Sequence, residues 1–219
     1  MTKLLIATVK PFSAAAVDEV KKIAAEAGYE VDLLEKYADQ SELKEAVKNA
    51  DALIVRSDKV DKEIIDAGEN LKIVVRAGAG YDNVDVEAAA ARGVVVMNTP
   101  GQNSNAVAEL AMGMMVYLNR NGFNGTSGTE LRGKKLGIHA YGYVGRIVGM
   151  IAKGFGMKVY AFDPFVDKVY IENDGVKAET SVEALYSKCQ YISLHIPSNR
   201  ETHRSVNYDL LNKMPQGAT

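Results

Sequence analysis

The sequence predicts an α/β protein made of two parallel-sheet domains. Three observations carry that prediction. Short apolar runs alternate with helical stretches from the first residues onward, a polar and turn-rich segment interrupts the pattern at Asn98–Asn103, and the alternation then starts again. Strands separated by helices pair in parallel and bury both sheet faces. The composition permits such cores: 219 residues, 47% hydrophobic and 25% charged, with a net charge of −2. These values exclude disordered, collagen-like and low-complexity chains. A charge this close to zero excludes nucleic acid as a bulk electrostatic partner. No apolar run approaches the roughly 20 residues of a membrane span. Met1-Thr2-Lys3 leads straight into an apolar strand too short for a signal-peptide core. A single cysteine excludes a disulfide framework and suits a reducing cytoplasm, the expected location.

The first domain, residues 1–98, opens on a strand at Leu4–Thr8. Ser13 is placed to cap a helix whose apolar positions are Val17, Val20, Ile23 and Ala24, and Gly28 ends it. Further strands are expected at Val31–Leu34, Ala52–Val55, Ile73–Val75 and Val94–Met97. Helices are expected between them at Ser41–Val47, Asp61–Ala67 and Val84–Ala91. In open parallel sheets ligands bind beyond the carboxyl ends of the strands. Here Arg56-Ser57 follow the third strand, and Arg76-Ala77-Gly78-Ala79-Gly80 follow the fourth. Arginine grips carboxylate or phosphate through a planar fork of donors. Glycine lets backbone N–H groups approach an anion. Tight turns with solvated arginines would read the same way, so the spacing alone leaves both open.

The second domain, residues 99–219, begins with a helix from about Asn105 to Leu118 that is apolar nearly all round, through Val107, Leu110, Met112, Met114, Met115 and Val116. Such a helix is expected to be buried on several faces, in a core or a subunit interface. After a polar loop at Asn119–Gly128 comes a strand at Lys135–Ala140, then Ala140-Tyr141-Gly142-Tyr143-Val144-Gly145, a helix, a strand at Met157–Phe162 and the acid Asp163. That order is the dinucleotide fingerprint with alanine in place of its first glycine. Gly142 lets a pyrophosphate reach backbone at the helix N-terminus, and Gly145 lets helix and strand pack closely. Asp163 is placed to accept hydrogen bonds from ribose hydroxyls and to repel a 2′-phosphate, which favours NAD over NADP. A short strand at Val176–Ala178, a helix at Val182–Ser187, a strand at Gln190–Ile196 and a helix at Asn207–Met214 complete the chain. Four strands are counted here, where a complete dinucleotide domain has six.

Together these residues resemble the D-isomer-specific 2-hydroxyacid dehydrogenases. The carriers are Val55–Asp58, Val75–Asp85, Met97–Gly101, Ala106–Glu109, Ala140–Gly145, Ser193–Pro197 and Lys213–Pro215, in order along the whole chain. The resemblance implies a flavodoxin-like substrate domain hinged to an incomplete Rossmann domain that binds NAD. It implies oxidation of a phosphorylated 2-hydroxy acid, 3-phosphoglycerate, to 3-phosphohydroxypyruvate in serine biosynthesis. By position it places Arg56 and Ser57 at the substrate phosphate, and Arg76, Gly78 and Ala79 at the substrate and nicotinamide. Ala140, Gly142 and Gly145 form the fingerprint turn, with Tyr143 and Val144 presenting backbone to the pyrophosphate. Asp163 would lie at the adenosine ribose, and His195, Ile196 and Pro197 would line the cofactor cleft. No metal site is expected.

The family's arginine, glutamate and histidine that grip the substrate carboxylate and move the hydroxyl proton would fall beyond Thr219. No catalytic residue is therefore identified, and the chain reads as a truncated dehydrogenase, impaired or inactive, with NAD binding weakened or lost. His139 is expected to be packed, His203 to lie in a solvated loop, and Cys189 to be structurally buried. A homodimer is expected through the helix at 105–118 and an uncovered apolar edge strand at 190–196. Two other readings remain at this stage: a non-catalytic two-lobed binder of small anions, and a folding or evolutionary fragment without a ligand.

Overall fold

A computed structural model describes all 219 residues, which divide into two compact units, Met1–Pro100 and Gly101–Thr219. The first unit holds β1 (Lys3–Thr8), α1 (Ala14–Glu26), β2 (Glu30–Glu35), α2 (Gln40–Ala46), β3 (Ala52–Val55), α3 (Lys62–Ala67), β4 (Ile73–Arg76), α4 (Val86–Ala91) and β5 (Val95–Asn98). Its five strands pair in parallel in the order β2-β1-β3-β4-β5, the flavodoxin-like arrangement. Leu5, Ala7, Leu53, Val55 and Val74 form the middle of its core, with Ile64, Ile65 and Leu43 packed on them from the helices. Local chemistry sets the helix starts. Ser13, Asp39, Asp61 and Asp85 each accept a backbone N–H of the first turn.

The second unit holds α5 (Ser104–Asn119), β6 (Lys135–His139), α6 (Tyr143–Gly154), β7 (Lys158–Phe162), α7 (Lys168–Asn173), β8 (Lys177–Ala178), α8 (Val182–Lys188), β9 (Tyr191–Leu194) and α9 (Tyr208–Leu211). Its four parallel strands run in the order β8-β7-β6-β9, the first four positions of a dinucleotide-binding sheet. Leu136, Ile138, Val148, Ala152 and Met112 are central to its core.

Several sequence expectations are corrected. Helix α7 was not anticipated; Asp167 caps it by accepting the Val169 N–H at 2.8 Å. The last helix is one turn, Tyr208–Leu211, rather than Asn207–Met214, because Asn207 is its cap and the chain turns at Pro215. Within this chain helix α5 buries one face, through Ala108, Met112 and Met115, and presents Leu110, Met114, Tyr117 and Leu118 to the outside, so its own core accounts for only part of the expected burial. The strand expected at Gln190–Ile196 is confined to Tyr191–Leu194, and its edge is not bare. Thr219 donates its N–H to Gln190 O at 2.7 Å and accepts the Ile192 N–H at 3.0 Å. Those two bonds continue the ladder and remove part of the unpaired edge on which pairing with another chain would depend.

Candidate functional site

In the first unit, the ends of four strands meet around a buried acid. Asp58, two residues past Arg56, is 8% exposed. Its Oδ1 accepts the Val9 N–H after β1 and the Tyr37 hydroxyl after β2, both at 2.7 Å. Its carbonyl accepts Asn83 Nδ2 from the loop after β4, also at 2.7 Å. Burial and the Asp58 carboxylate together push the Tyr37 phenol well above its ordinary range, so it stays a donor. Arg56 and Ser57 stand exposed on this base. The Arg76 side chain folds back, donating Nε to Arg56 O at 2.8 Å. A Cβ at position 78 would lie 1.5 Å from Arg76 Nη1, so glycine leaves the room the guanidinium occupies. Asn98 Nδ2 and the Thr99 N–H hold the 78–79 backbone, at 2.7 Å to Ala79 O and 2.9 Å to Gly78 O. The structure thus brings Arg56, Ser57, Arg76, Gly78 and Ala79 together at the carboxyl ends of β3 and β4, with the Gly78 N–H turned to Arg76 O at 2.8 Å. Asp58, Asn83 and Asn98 shape these ends; their roles were not read from the sequence.

In the second unit, β6 ends at His139 and the chain turns at Ala140 with φ of +79°, a left-handed conformation costly for any residue with a Cβ. The turn is tied to the next strand by Ala140 N–H to Phe162 O at 2.9 Å and by Tyr141 N–H to Asp163 Oδ2 at 2.8 Å. Asp163 Oδ1 also accepts the Phe165 N–H at 2.9 Å, so the acid clamps its own loop as well as the fingerprint turn. Each carboxylate oxygen keeps a further lone pair for a hydroxyl donor. The left-handed strain costs about 1–2 kcal/mol, and glycine's extra unfolded freedom costs about 0.5–1 kcal/mol. Ala140→Gly is therefore expected to stabilise this unit by roughly 0.5–1 kcal/mol, read as a higher urea midpoint at unchanged slope.

Helix α6 starts at Tyr143 with Gly142 as its cap and no capping side chain. The first bond closing it is Arg146 N–H to Gly142 O at 3.0 Å, which leaves the N–H groups of Tyr143, Val144 and Gly145 outside the helical ladder. A Cβ on Gly142 would meet nothing within 4 Å, so the space before these donors is open. A Cβ on Gly145 would lie 2.4 Å from Ala140 O and 2.9 Å from Ile138 Cγ2, so only glycine lets α6 sit this close to β6. Open donors at a helix N-terminus, a free approach and a clamped acid fit the diphosphate and ribose of a dinucleotide. Tyr141 is anchored beneath, its hydroxyl 3.2 Å from Asp174 Oδ2, which also takes Arg146 Nε at 3.0 Å.

The three histidines are engaged or peripheral. His139 is buried, with Nδ1 at 3.2 Å from the Tyr186 hydroxyl, and burial pulls its pKa below the usual imidazole range against the opposing pull of Asp163. His195 Nε2 lies 2.8 Å from Ser193 Oγ, and burial pushes its pKa down to about 4, so it is neutral at neutral pH. Ile196 is half-buried and Pro197 exposed beside it. The His203 N–H donates to Asn199 O at 2.9 Å in an exposed loop. Cys189 is fully buried and its thiol is pushed up to about 12, which leaves it inert.

A flavodoxin-like sheet with arginines at its strand ends and a second parallel sheet carrying the dinucleotide fingerprint define the class as a two-unit α/β protein. A profile of the family described as D-isomer specific 2-hydroxyacid dehydrogenase, catalytic domain, matches residues 6–216. The chain belongs to the D-isomer specific 2-hydroxyacid dehydrogenases. It is 37% identical over 202 residues to a hydroxypyruvate reductase of Thermotoga maritima, covering 86% of this chain and 65% of that protein. It is 37% identical over 193 residues to D-3-phosphoglycerate dehydrogenase of Methanocaldococcus jannaschii, covering 82% of this chain and 37% of that protein. The chain therefore spans less than two thirds of the length of these curated relatives. Among solved structures it resembles NAD+-bound 3-phosphoglycerate dehydrogenase of Entamoeba histolytica, with a TM-score of 0.93 and 48% identity, over 99% of this chain and 70% of that one. No helix of this chain is long and apolar enough to cross a membrane.

Proposed function

We propose that this chain carries the NAD-binding and substrate-binding residues of a phosphoglycerate dehydrogenase, acting on 3-phosphoglycerate in serine biosynthesis in the cytoplasm. The observation that carries this reading is the fingerprint turn: open N–H groups at Tyr143, Val144 and Gly145, a glycine that no other residue can replace, and Asp163 clamped to the same turn. On this reading Gly142 admits the pyrophosphate, and the helix N-terminus stabilises its charge. Asp163 takes the adenosine ribose, and His195, Ile196 and Pro197 line the cofactor's side of the sheet. When bound, NAD takes the hydride from the substrate's hydroxyl-bearing carbon.

The chain's own residues bind and orient. Arg56 and Ser57 offer donors to the phosphate, while Arg76, held by Arg56 O, and the Gly78–Ala79 backbone meet the hydroxy acid. None of the three imidazoles is supported as the proton acceptor: His139 and His195 have side-chain partners, and His203 lies in the exposed loop. These residues are therefore assigned to binding and orientation, and no side chain among them is assigned the proton transfer, a step that contributes about 10²–10⁴ in rate. A homodimer through α5 belongs to the same proposal. It is supported by the exposed apolar side chains Leu110, Met114, Tyr117 and Leu118.

The test is calorimetric titration of NADH and of 3-phosphoglycerate into the chain. Saturable binding of each, near one per chain, is the expected result. Binding of 3-phosphoglycerate without NADH would favour a non-catalytic anion binder instead, and binding of neither would overturn the proposal.

A further inference from the structure

The fingerprint turn holds a conformation that its own residue opposes. Ala140 sits at φ of +79°, a region disfavoured for any residue with a Cβ. Such a backbone persists only where the surroundings over-determine it. Glycine at the same place would need no such support.

Tyr141, the next residue, is held at both ends. Its N–H donates to Asp163 Oδ2 at 2.8 Å. Its side chain is 1% exposed, and its hydroxyl donates to Asp174 Oδ2 at 3.2 Å. Asp174 directly follows α7, thirty-three residues along the chain and outside the fingerprint pattern. Burial and the Asp174 carboxylate push the Tyr141 phenol above its ordinary range, so it stays a donor.

Asp174 is itself fixed in place. Arg146 donates Nε to Oδ2 at 3.0 Å and Nη2 to Oδ1 at 3.4 Å, a two-point grip on the carboxylate. Lys153, further along α6, donates to the Asp174 carbonyl. The Arg146 guanidinium also lies 4.6 Å from the centre of the Tyr170 ring on α7. Arg146 belongs to the first turn of α6, where its own N–H bonds Gly142 O at 3.0 Å. The contacts therefore close on themselves: Tyr141 to Asp174, Asp174 to Arg146, and Arg146 back to Gly142, the residue after Tyr141. This ring encloses the fingerprint turn without using Asp163.

We propose that Asp174 is a positioning residue for dinucleotide binding, acting through the Tyr141 hydroxyl to hold the left-handed turn at Ala140 and so to keep the Tyr143 and Val144 N–H groups where a diphosphate meets them. This rests on the reading of the second unit given under the proposed function. Without the anchor, the turn at Ala140 relaxes, and the apparent affinity falls with the fraction of chains that keep the competent turn. Glycine at position 140 populates that turn at little cost, so the anchor's contribution should disappear there. A contact that only supported the fold would show no such dependence.

The test titrates NADH into the full chain and into Tyr141→Phe, Asp174→Ala, Asp174→Asn and the double variant Tyr141→Phe/Asp174→Ala. Each is prepared alone and combined with Ala140→Gly, and a urea midpoint is recorded for each. Tyr141→Phe and Asp174→Ala are each expected to weaken NADH binding about five- to tenfold, and the double variant no further than the weaker of the two. Asp174→Asn keeps an acceptor for the hydroxyl and should recover most of the loss. With Ala140→Gly present, the same substitutions should change affinity by less than about twofold relative to Ala140→Gly alone. Tyr141→Phe keeps the buried ring and carries the test if Asp174→Ala does not fold. Equal losses with and without Ala140→Gly, additive losses in the double variant, or affinity within twofold in Tyr141→Phe would overturn the positioning role and leave the nucleotide site standing. No saturable binding by the unaltered chain would overturn both.

Discussion

Gly145→Ala is expected to abolish saturable NADH binding and to destabilise the second unit by about 3 kcal/mol, the upper part of the range for overpacking a filled site. The added methyl carbon would lie 2.4 Å from Ala140 O, a backbone atom of the fingerprint turn, and 2.9 Å from Ile138 Cγ2 on β6. Rotating a side chain cannot relieve the first contact. Helix α6 must move off β6, or the turn must open, and the turn is already held left-handed at Ala140. Either movement displaces the N–H groups of Tyr143 and Val144 from the position in which they face a diphosphate. Gly154→Ala is the control on the same helix, because a Cβ there meets nothing within 4 Å. It should bind NADH normally and unfold at an equal or higher denaturant concentration, since alanine is the better helix former. Urea titration followed by circular dichroism, with calorimetry of NADH, separates the two variants.

Asp163→Ala is expected to weaken NADH binding between tenfold and a hundredfold. Hydrogen bonds to a charged group contribute about 1.5–3 kcal/mol, and each 1.4 kcal/mol is a factor of ten. Two effects add. The ribose hydroxyls lose their acceptor, and the Tyr141 N–H loses its 2.8 Å bond, so the fingerprint turn is less well held. The variant should also discriminate less against NADPH, because a 2′-phosphate no longer meets a carboxylate. Asp163→Asn keeps one acceptor oxygen and should retain more of the turn than of the nucleotide preference. Paired NADH and NADPH titrations measure both changes. NADH affinity within twofold of the unaltered chain would remove Asp163 from the site.

The parts of this architecture that were legible in the sequence are those set by local rules. Alternating apolar runs and helix caps mark all five strands of the first sheet, and glycine spacing marks the fingerprint. Alanine stands at position 140 in place of the fingerprint's first glycine, and its positive φ is the conformation a glycine would adopt there at less cost. Helix α7 escaped notice because it spans six residues with one buried side chain, Ile171, too few to show a periodic face. The Asp58 junction was illegible for a different reason. Its partners, Val9, Tyr37 and Asn83, lie 49, 21 and 25 residues away in sequence, and only the parallel sheet gathers them. The partly paired edge of β9 is not legible in the sequence because the two backbone hydrogen bonds it shares with Thr219 leave no trace in residue type.

On this reading the start of α6 receives the diphosphate of a dinucleotide. The most direct measurement follows the backbone amide resonances of the 15N-labelled chain during titration with NADH. Saturable shifts are expected, largest at Tyr143, Val144 and Gly145, with a second group at Asp163 and Phe165. No saturable change at these amides, or changes confined to residues outside the second unit, would contradict it.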